Sequence, residues 1–126
     1  MDVPIDWAHL SRFTLNDRAL ELEVLRLFAV DAPRYLTLLL GTASRKSWIE
    51  AAHTLKGSAR AVGAWAIAET AQALETLEAT ARGEFAEKRS SRSVELQLEK
   101  LVDAVRQTLA YIDQLDGGRR VPLQGA

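Results

Sequence analysis

The chain has 126 residues, of which 48% are hydrophobic and 26% are charged, with a formal net charge of -1 and no cysteine. One domain of this size buries a core without disulfide or metal support, and the lack of cysteine excludes disulfides and thiolate metal ligands. The balanced charge offers no basic surface for nucleic acid or anionic membranes. No stretch approaches the roughly 18 apolar residues of a membrane span, and the first ten residues lack the charged leader and apolar run typical of a signal peptide. We therefore expect a cytoplasmic protein.

Five or six helices are predicted, because the middle of the chain is rich in Ala, Leu and Glu and has no proline between Pro33 and Pro122. Asp31 followed by Pro33 is typical of a cap and a helix-starting proline, and Ser47 to Glu50 (SWIE) fits a capping box. The predicted helices cover residues 6–12, 16–30, 32–42, 47–62, 64–82 and 91–116.

The last of these helices has an apolar stripe at alternating three and four spacing, formed by Val94, Leu98, Leu101, Val105, Thr108, Ile112 and Leu115. The pattern as a whole predicts an all-α fold, an antiparallel four-helix bundle with one or two additional short N-terminal helices. We expect a single domain over residues 1–116, with a polar loop at 84–92, and a disordered tail over 117–126.

The helix predicted over residues 47–62 has two distinct faces. The core face holds five residues at helical spacing: Trp48, Ala52, Leu55, Ala59 and Val62. A neighbouring, largely solvent-facing stripe holds four others: His53, Lys56, Gly57 and Arg60. A glycine inside a helix costs about 1 kcal/mol relative to alanine, so Gly57 needs a reason. A missing side chain one turn from His53 clears an approach to the imidazole.

A helical hairpin about Gly63 and Ala64 would bring residues of the helix predicted over 64–82 level with the solvent-facing stripe. His53 and Glu75 are each eleven residues from Ala64, and Lys56 and Gln72 are each eight residues from it. A carboxylate beside one imidazole nitrogen fixes the tautomer and leaves the other nitrogen as a nucleophile. The Lys56 ammonium would hold an anionic group beside that nitrogen.

This set of residues suits phosphoryl transfer onto histidine. The sequence has no Gly-rich phosphate loop and no Walker lysine motif, so the phosphoryl group must come from another protein and leave to another protein.

The stretch AHTLKGSARAVGA (52–64), followed by ALE (73–75), resembles the histidine-containing phosphotransfer (HPt) domain of bacterial multistep phosphorelays. The upstream VLRLFAVDAPRYLTLL (24–39) is similar to that family's second and third helices, and the resemblance extends over roughly residues 16–115. It implies that His53 is the phospho-accepting histidine. Lys56 and Gly57 match the lysine and glycine of the motif, and Glu75 matches the residue that orients the imidazole.

The resemblance also implies the partners, which are receiver domains of response regulators or hybrid histidine kinases. These supply the aspartate and the Mg²⁺, whereas the HPt domain itself binds no metal and no cofactor. Gly57, Arg60 and Gln72 are predicted to form the docking rim. We expect a monomer. The start at Met1 and the expected disordered tail favour a free-standing protein, and a piece of a hybrid kinase is the open alternative. The direction of phosphoryl flow is open.

Three alternatives compete with these assignments. Glu50 and His53 form one ExxH unit of the kind that di-iron bundles use twice; the only other histidine is His9, which we expect to be structural or on the surface. The whole domain could instead be a non-catalytic docking module for receiver domains. Gly57 could serve close packing of two helices rather than access to His53.

Overall fold

The computed structural model describes residues 3–42, 44–80, 91–115 and 117, and these contain helices and no strand. The all-α prediction is confirmed. Five helices are present in the described residues: α1 (Trp7–Thr14), α2 (Arg18–Gly41), α3 (Arg45–Val62), α4 (Trp65–Thr80) and α5 (Arg92–Leu115).

The four long helices α2 to α5 form the predicted antiparallel bundle. Each packs against the next along the chain, and α5 closes the bundle against α2. The short α1 packs on α2 and α3, so the described residues contain one additional N-terminal helix. No helix among them is long and apolar enough to cross a bilayer. The predicted loop lies outside the described residues except at Ser91 and Arg92, and the predicted tail lies outside them except at Gly117.

The predicted break between helices 16–30 and 32–42 is wrong. A single helix runs from Arg18 to Gly41 with Pro33 inside it, and Asp31 pairs with Arg34 at 3.3 Å rather than capping a helix. A proline inside a helix costs about 3 kcal/mol. Buried residues on both sides of it offset that cost by packing into one core, namely Leu25, Phe28, Ala29, Ala32 and Leu39.

The start of α3 also differs from the prediction. Its N-cap is Ser44, whose hydroxyl oxygen accepts a hydrogen bond from the Ser47 amide at 3.2 Å. The capping box proposed at Ser47 is therefore wrong, and Glu50 is an exposed residue of the second turn. Serine at either position is a good cap. A cap at Ser44 makes the helix longer by most of a turn. The residue types alone do not distinguish this cap from one at Ser47.

The two predicted core stripes are buried in the bundle. All five core-face residues of α3 are at most 3% exposed. The α5 stripe is buried from Val94 to Ile112, while Leu115 is half-buried at the end of the helix. The face of α3 that holds His53 must therefore point away from the core.

The α3–α4 turn depends on Gly63, whose φ is +76°, a left-handed conformation that favours glycine. The Gly63 amide donates to the Arg60 carbonyl at 3.2 Å, and the Asp6 amide donates to the Gly63 carbonyl at 2.9 Å. A Cβ on Gly63 would lie 2.9 Å from both Cβ and the carbonyl oxygen of Asp6. The turn is therefore closely covered by the chain segment that precedes α1.

Asp6 joins α1 to this turn. Its carboxylate caps α1 by accepting from the His9 amide at 3.1 Å, and it accepts from the Trp65 indole at 2.9 Å. The Trp65 hydrogen bond, and then that of the His9 amide, lower the pKa of Asp6 below its usual value of 3.8. The carboxylate is thus charged at neutral pH and holds the starts of α1 and α4 together.

The other end of α1 is fixed to α2 by a buried carboxylate. Glu21 is 4% exposed, and its Oε2 accepts from the hydroxyls of Ser11 at 2.8 Å and Thr14 at 2.7 Å. Its Oε1 lies 3.8 Å from the Arg18 guanidinium. These partners satisfy a charge that would be costly to bury alone.

We predict that Gly63→Ala lowers the free energy of unfolding by about 2 kcal/mol, because the substitution combines a left-handed backbone with a contact to the Asp6 backbone. Urea denaturation followed by circular dichroism measures this. Gly41→Ala is the matched control, since Gly41 has open space around its Cβ position and no positive φ. Equal stability of Gly63→Ala and wild type would contradict the assigned role of the turn.

Candidate functional site

The stripe predicted to face solvent on α3 is present, with one exception. The His53 side chain is 70% exposed, and Gly57 and Arg60 are exposed. The Lys56 side chain is only 12% exposed, so the expectation that it faces solvent is wrong. Its ammonium contacts Gln72 and Glu75 of α4, so Lys56 occupies the groove between α3 and α4, which its long alkyl chain allows it to span.

Two residues of α4 meet the stripe at the levels expected from their distance to the turn. Nδ1 of His53 lies 3.6 Å from Oε2 of Glu75. Nζ of Lys56 donates to Oε1 of Gln72 at 3.1 Å. The structure thus brings His53, Lys56, Gln72 and Glu75 together across one helix pair.

Glu75 is shared between the two α3 side chains. Its Oε1 is buried and lies 2.8 Å from the Lys56 ammonium. The angles of this contact are not those of a hydrogen bond, and it is an ion pair. The other oxygen faces Nδ1 of His53 at a distance slightly longer than a hydrogen bond. A small rotation of the exposed imidazole would close that gap and direct the Nδ1 proton to Glu75.

The opposite nitrogen of His53, Nε2, is the one available for chemistry. No hydrogen bond to it is present within the described part of the chain. With Nδ1 on the Glu75 side, the Nε2 lone pair points away from α4. A neutral imidazole in this tautomer is a nucleophile toward an electrophile that arrives from solvent.

Gly57 leaves open space one turn from His53. A Cβ built on Gly57 meets no atom within 4 Å outside its own helical neighbourhood. No helix packs closely against it, so the alternative of close helix packing is not supported. The absent side chain leaves the surface beside the imidazole flat.

Arg60 has a second role that the sequence did not reveal. Its side chain is exposed, while its carbonyl oxygen lies 2.7 Å from Nε2 of His9. A carbonyl only accepts hydrogen bonds, so Nε2 of His9 bears the proton and donates. The ring of His9 also contacts those of Phe13 and Trp65 edge-to-face. His9 is therefore structural, and it fixes α1 on the last turn of α3.

Thr76 is the site residue that the sequence analysis missed. Its hydroxyl accepts from Nε2 of Gln72 at 3.1 Å and donates to the Gln72 carbonyl at 3.0 Å. The i, i+4 spacing from Gln72 is the only sequence signal that could have indicated it.

Metal binding has no support in this region. Within the described residues, no group of three His, Asp or Glu side chains is arranged to hold a metal ion. Glu50 is exposed on the first turns of α3, and His9 contacts Arg60 near the other end of that helix. The two histidines are therefore not placed around a common centre.

A comparison with protein-family models finds a match over more than half of the chain. The model described as Hpt domain matches residues 23–108, which is more than half of the 126 residues. The match includes the helix pair that holds the site and leaves out α1. No curated protein and no solved structure matches the chain.

We predict that Gly57→Ala raises the free energy of unfolding by about 1 kcal/mol, because alanine favours the helix and its methyl group meets nothing. Thermal and urea denaturation measure this change. A loss of stability would instead show that a close contact depends on the glycine.

Proposed function

This chain belongs to the Hpt domain family, and we propose that it relays a phosphoryl group through His53. The donor is a phospho-aspartyl receiver domain of a hybrid histidine kinase or response regulator, and the acceptor is the aspartate of another receiver domain. The observation that carries the proposal is the geometry of His53, which is 70% exposed with Nδ1 turned toward Glu75.

The proposed reaction is an in-line displacement at phosphorus. The Nε2 lone pair of His53 forms the new N–P bond while the P–O bond to the donor aspartate breaks, and the bonding electrons leave with that carboxylate. Transfer to the next receiver is the same step in reverse, with the acceptor aspartate as nucleophile. The Nδ1 proton stays on the imidazole and is directed to Glu75, which offsets the charge that develops on the ring.

Lys56 supplies positive charge next to this centre. Its ammonium has three N–H donors, of which one bonds Gln72, and it forms an ion pair with Glu75. We propose that another N–H of the ammonium donates to an oxygen of the phosphoryl group on His53. The pair with Glu75 also prevents the carboxylate from presenting an unbalanced negative charge to the incoming phosphoryl group.

The receiver domain is proposed to dock over the flat surface around His53, with Gly57 and Arg60 at its rim. The Mg²⁺ that phospho-aspartyl chemistry needs would be bound by the receiver. The described residues and the sequence motifs offer no ATP-binding element, so the chain is proposed to act between proteins. A cytoplasmic, monomeric protein agrees with this role.

We predict that His53→Gln abolishes labelling by phosphorylated receivers, because glutamine has no nucleophilic nitrogen. A panel of labelled receiver domains is mixed with wild type, His53→Gln and His9→Gln, and the label is tested for acid lability and alkali stability. His9→Gln removes the other histidine and should remain labelled. Circular dichroism should show an intact helical fold for His53→Gln, since the side chain is exposed.

Two results would count against the proposal. Label that persists on His53→Gln would place the phosphoryl group elsewhere. A folded wild-type protein that binds receivers but takes label from none would favour the non-catalytic docking module.

We further predict that Gly57→Gln slows phosphoryl transfer at least about tenfold while the free energy of unfolding is unchanged or higher. The added side chain occupies open surface and obstructs the receiver rather than the fold. Gly57→Ala is the control with a small side chain and should stay close to wild type. Unchanged transfer by Gly57→Gln would remove Gly57 from the docking surface.

A further inference from the structure

Gln72 is polar and exposed, yet its amide is engaged at both ends. The oxygen accepts from Lys56 at 3.1 Å, and the nitrogen donates to Thr76 at 3.1 Å. An ammonium has no acceptor, so the atom facing Lys56 must be the oxygen. Thr76 in turn donates its hydroxyl proton to the backbone carbonyl of Gln72 at 3.0 Å. A lone pair of the same hydroxyl oxygen therefore accepts the hydrogen bond from the Gln72 side-chain amide. Each of the three hydrogen bonds in this short network thus has a defined donor and acceptor.

The network decides where the Lys56 ammonium lies. Gln72 and Glu75 are three residues apart on α4, and the ammonium contacts both. With only 12% of its side chain exposed, Lys56 is held back in the α3–α4 groove rather than extended into solvent. A lysine with a single contact could rotate about it. The hydrogen bond to Gln72 and the ion pair with Glu75 together fix the position of the ammonium.

The position of the ammonium determines which oxygen of Glu75 is left for His53. Lys56 lies against Oε1, which is buried, and Oε2 faces Nδ1 of His53. An ammonium that could bridge both carboxylate oxygens would compete with the imidazole for Oε2. The hydrogen bond from Lys56 to Gln72 keeps the ammonium on the Oε1 side.

We propose that Gln72 is a positioning residue, which acts through Lys56 and Glu75 to hold the His53 imidazole in the tautomer with its proton on Nδ1. This inference rests on the proposed phosphoryl transfer through His53, and it assigns Gln72 to the interior of the site rather than to the docking rim. Gln72 itself touches neither the imidazole nor the phosphoryl group.

The test uses variants of the full chain. Gln72→Leu removes the acceptor at similar volume, and Gln72→Glu keeps an acceptor oxygen for Lys56. Gln107→Leu is the matched control, because Gln107 is an exposed helical glutamine on α5 whose amide bonds Asp103 at 2.9 Å. Lys56→Met, alone and combined with Gln72→Leu, completes a double-mutant cycle.

The first readout is the ¹⁵N spectrum of the neutral His53 ring, which needs no phosphoryl donor. In Gln72→Leu the two ring nitrogens should move toward a mixture of tautomers, while Gln72→Glu and Gln107→Leu stay like wild type. A wild-type spectrum for Gln72→Leu would overturn the proposal. Because the spectrum is independent of transfer, this result is separate from any failure of the proposed function.

The second readout is rapid-quench transfer at varied concentrations of a phosphorylated receiver. We expect Gln72→Leu to lower the maximal rate about threefold to tenfold with the half-saturating receiver concentration unchanged, and Gln72→Glu to restore the rate. In the Lys56→Met background, Gln72→Leu should have no further effect. A changed half-saturating concentration at an unchanged maximal rate would place Gln72 on the docking rim, and multiplicative losses in the cycle would show that it does not act through Lys56.

Discussion

The left-handed turn at Gly63 sets the register between α3 and α4, and every contact of the site depends on that register. Both arms rise by the same distance per residue, so a fixed turn determines that Glu75 meets His53 and that Gln72 meets Lys56. A slip of one residue would rotate each partner by about 100° around its helix. The site is thus positioned by two helices and the one turn that joins them.

The charged pair and the histidine of the site differ in their exposure to solvent. The Lys56–Glu75 pair lies partly inside the groove, where a charge without a partner would be unfavourable. His53 by contrast stays in solvent, where a docking protein can reach it. In the proposed reaction, a covered ion pair next to an exposed nucleophile would allow the carboxylate to orient the imidazole while the lysine balances its charge. Reversing the exposures would bury the reacting nitrogen.

The sequence predicted those features that depend on helical geometry alone. The core face of α3, the level pairing across the hairpin and the bundle architecture all follow from residue spacing. It failed where two local signals competed. Pro33 is as typical of a helix start as of a tolerated interruption, and only the burial of residues on both sides favours one continuous helix. Ser44 and Ser47 are equally good caps, and packing of the extra turn decides between them.

The covered position of Lys56 was missed for a different reason. Helical spacing places Lys56 on the same stripe as His53. A lysine side chain has four methylenes, however, so its ammonium can reach a partner away from that stripe. The partners of the ammonium, Gln72 and Glu75, lie on another helix. The side-chain amide network with Thr76 is equally invisible to spacing, because i, i+4 pairs of such residues are common on helix surfaces.

The short α1 lies outside the residues that match the Hpt family model, yet it is attached to the very turn that sets the register. The Asp6 amide donates to the Gly63 carbonyl, the Asp6 carboxylate accepts from the Trp65 indole, and His9 donates to the Arg60 carbonyl. At its other side, the Trp7 indole donates to the Tyr111 hydroxyl on α5 at 2.7 Å. These contacts join residues that are 51 to 104 positions apart in the sequence, so no local sequence pattern predicts them. Since α1 binds the turn and not the imidazole, a change in α1 would reach His53 only by loosening the alignment of α3 with α4. The part of the chain outside the family pattern therefore supports the geometry of the family's site from the end of the bundle.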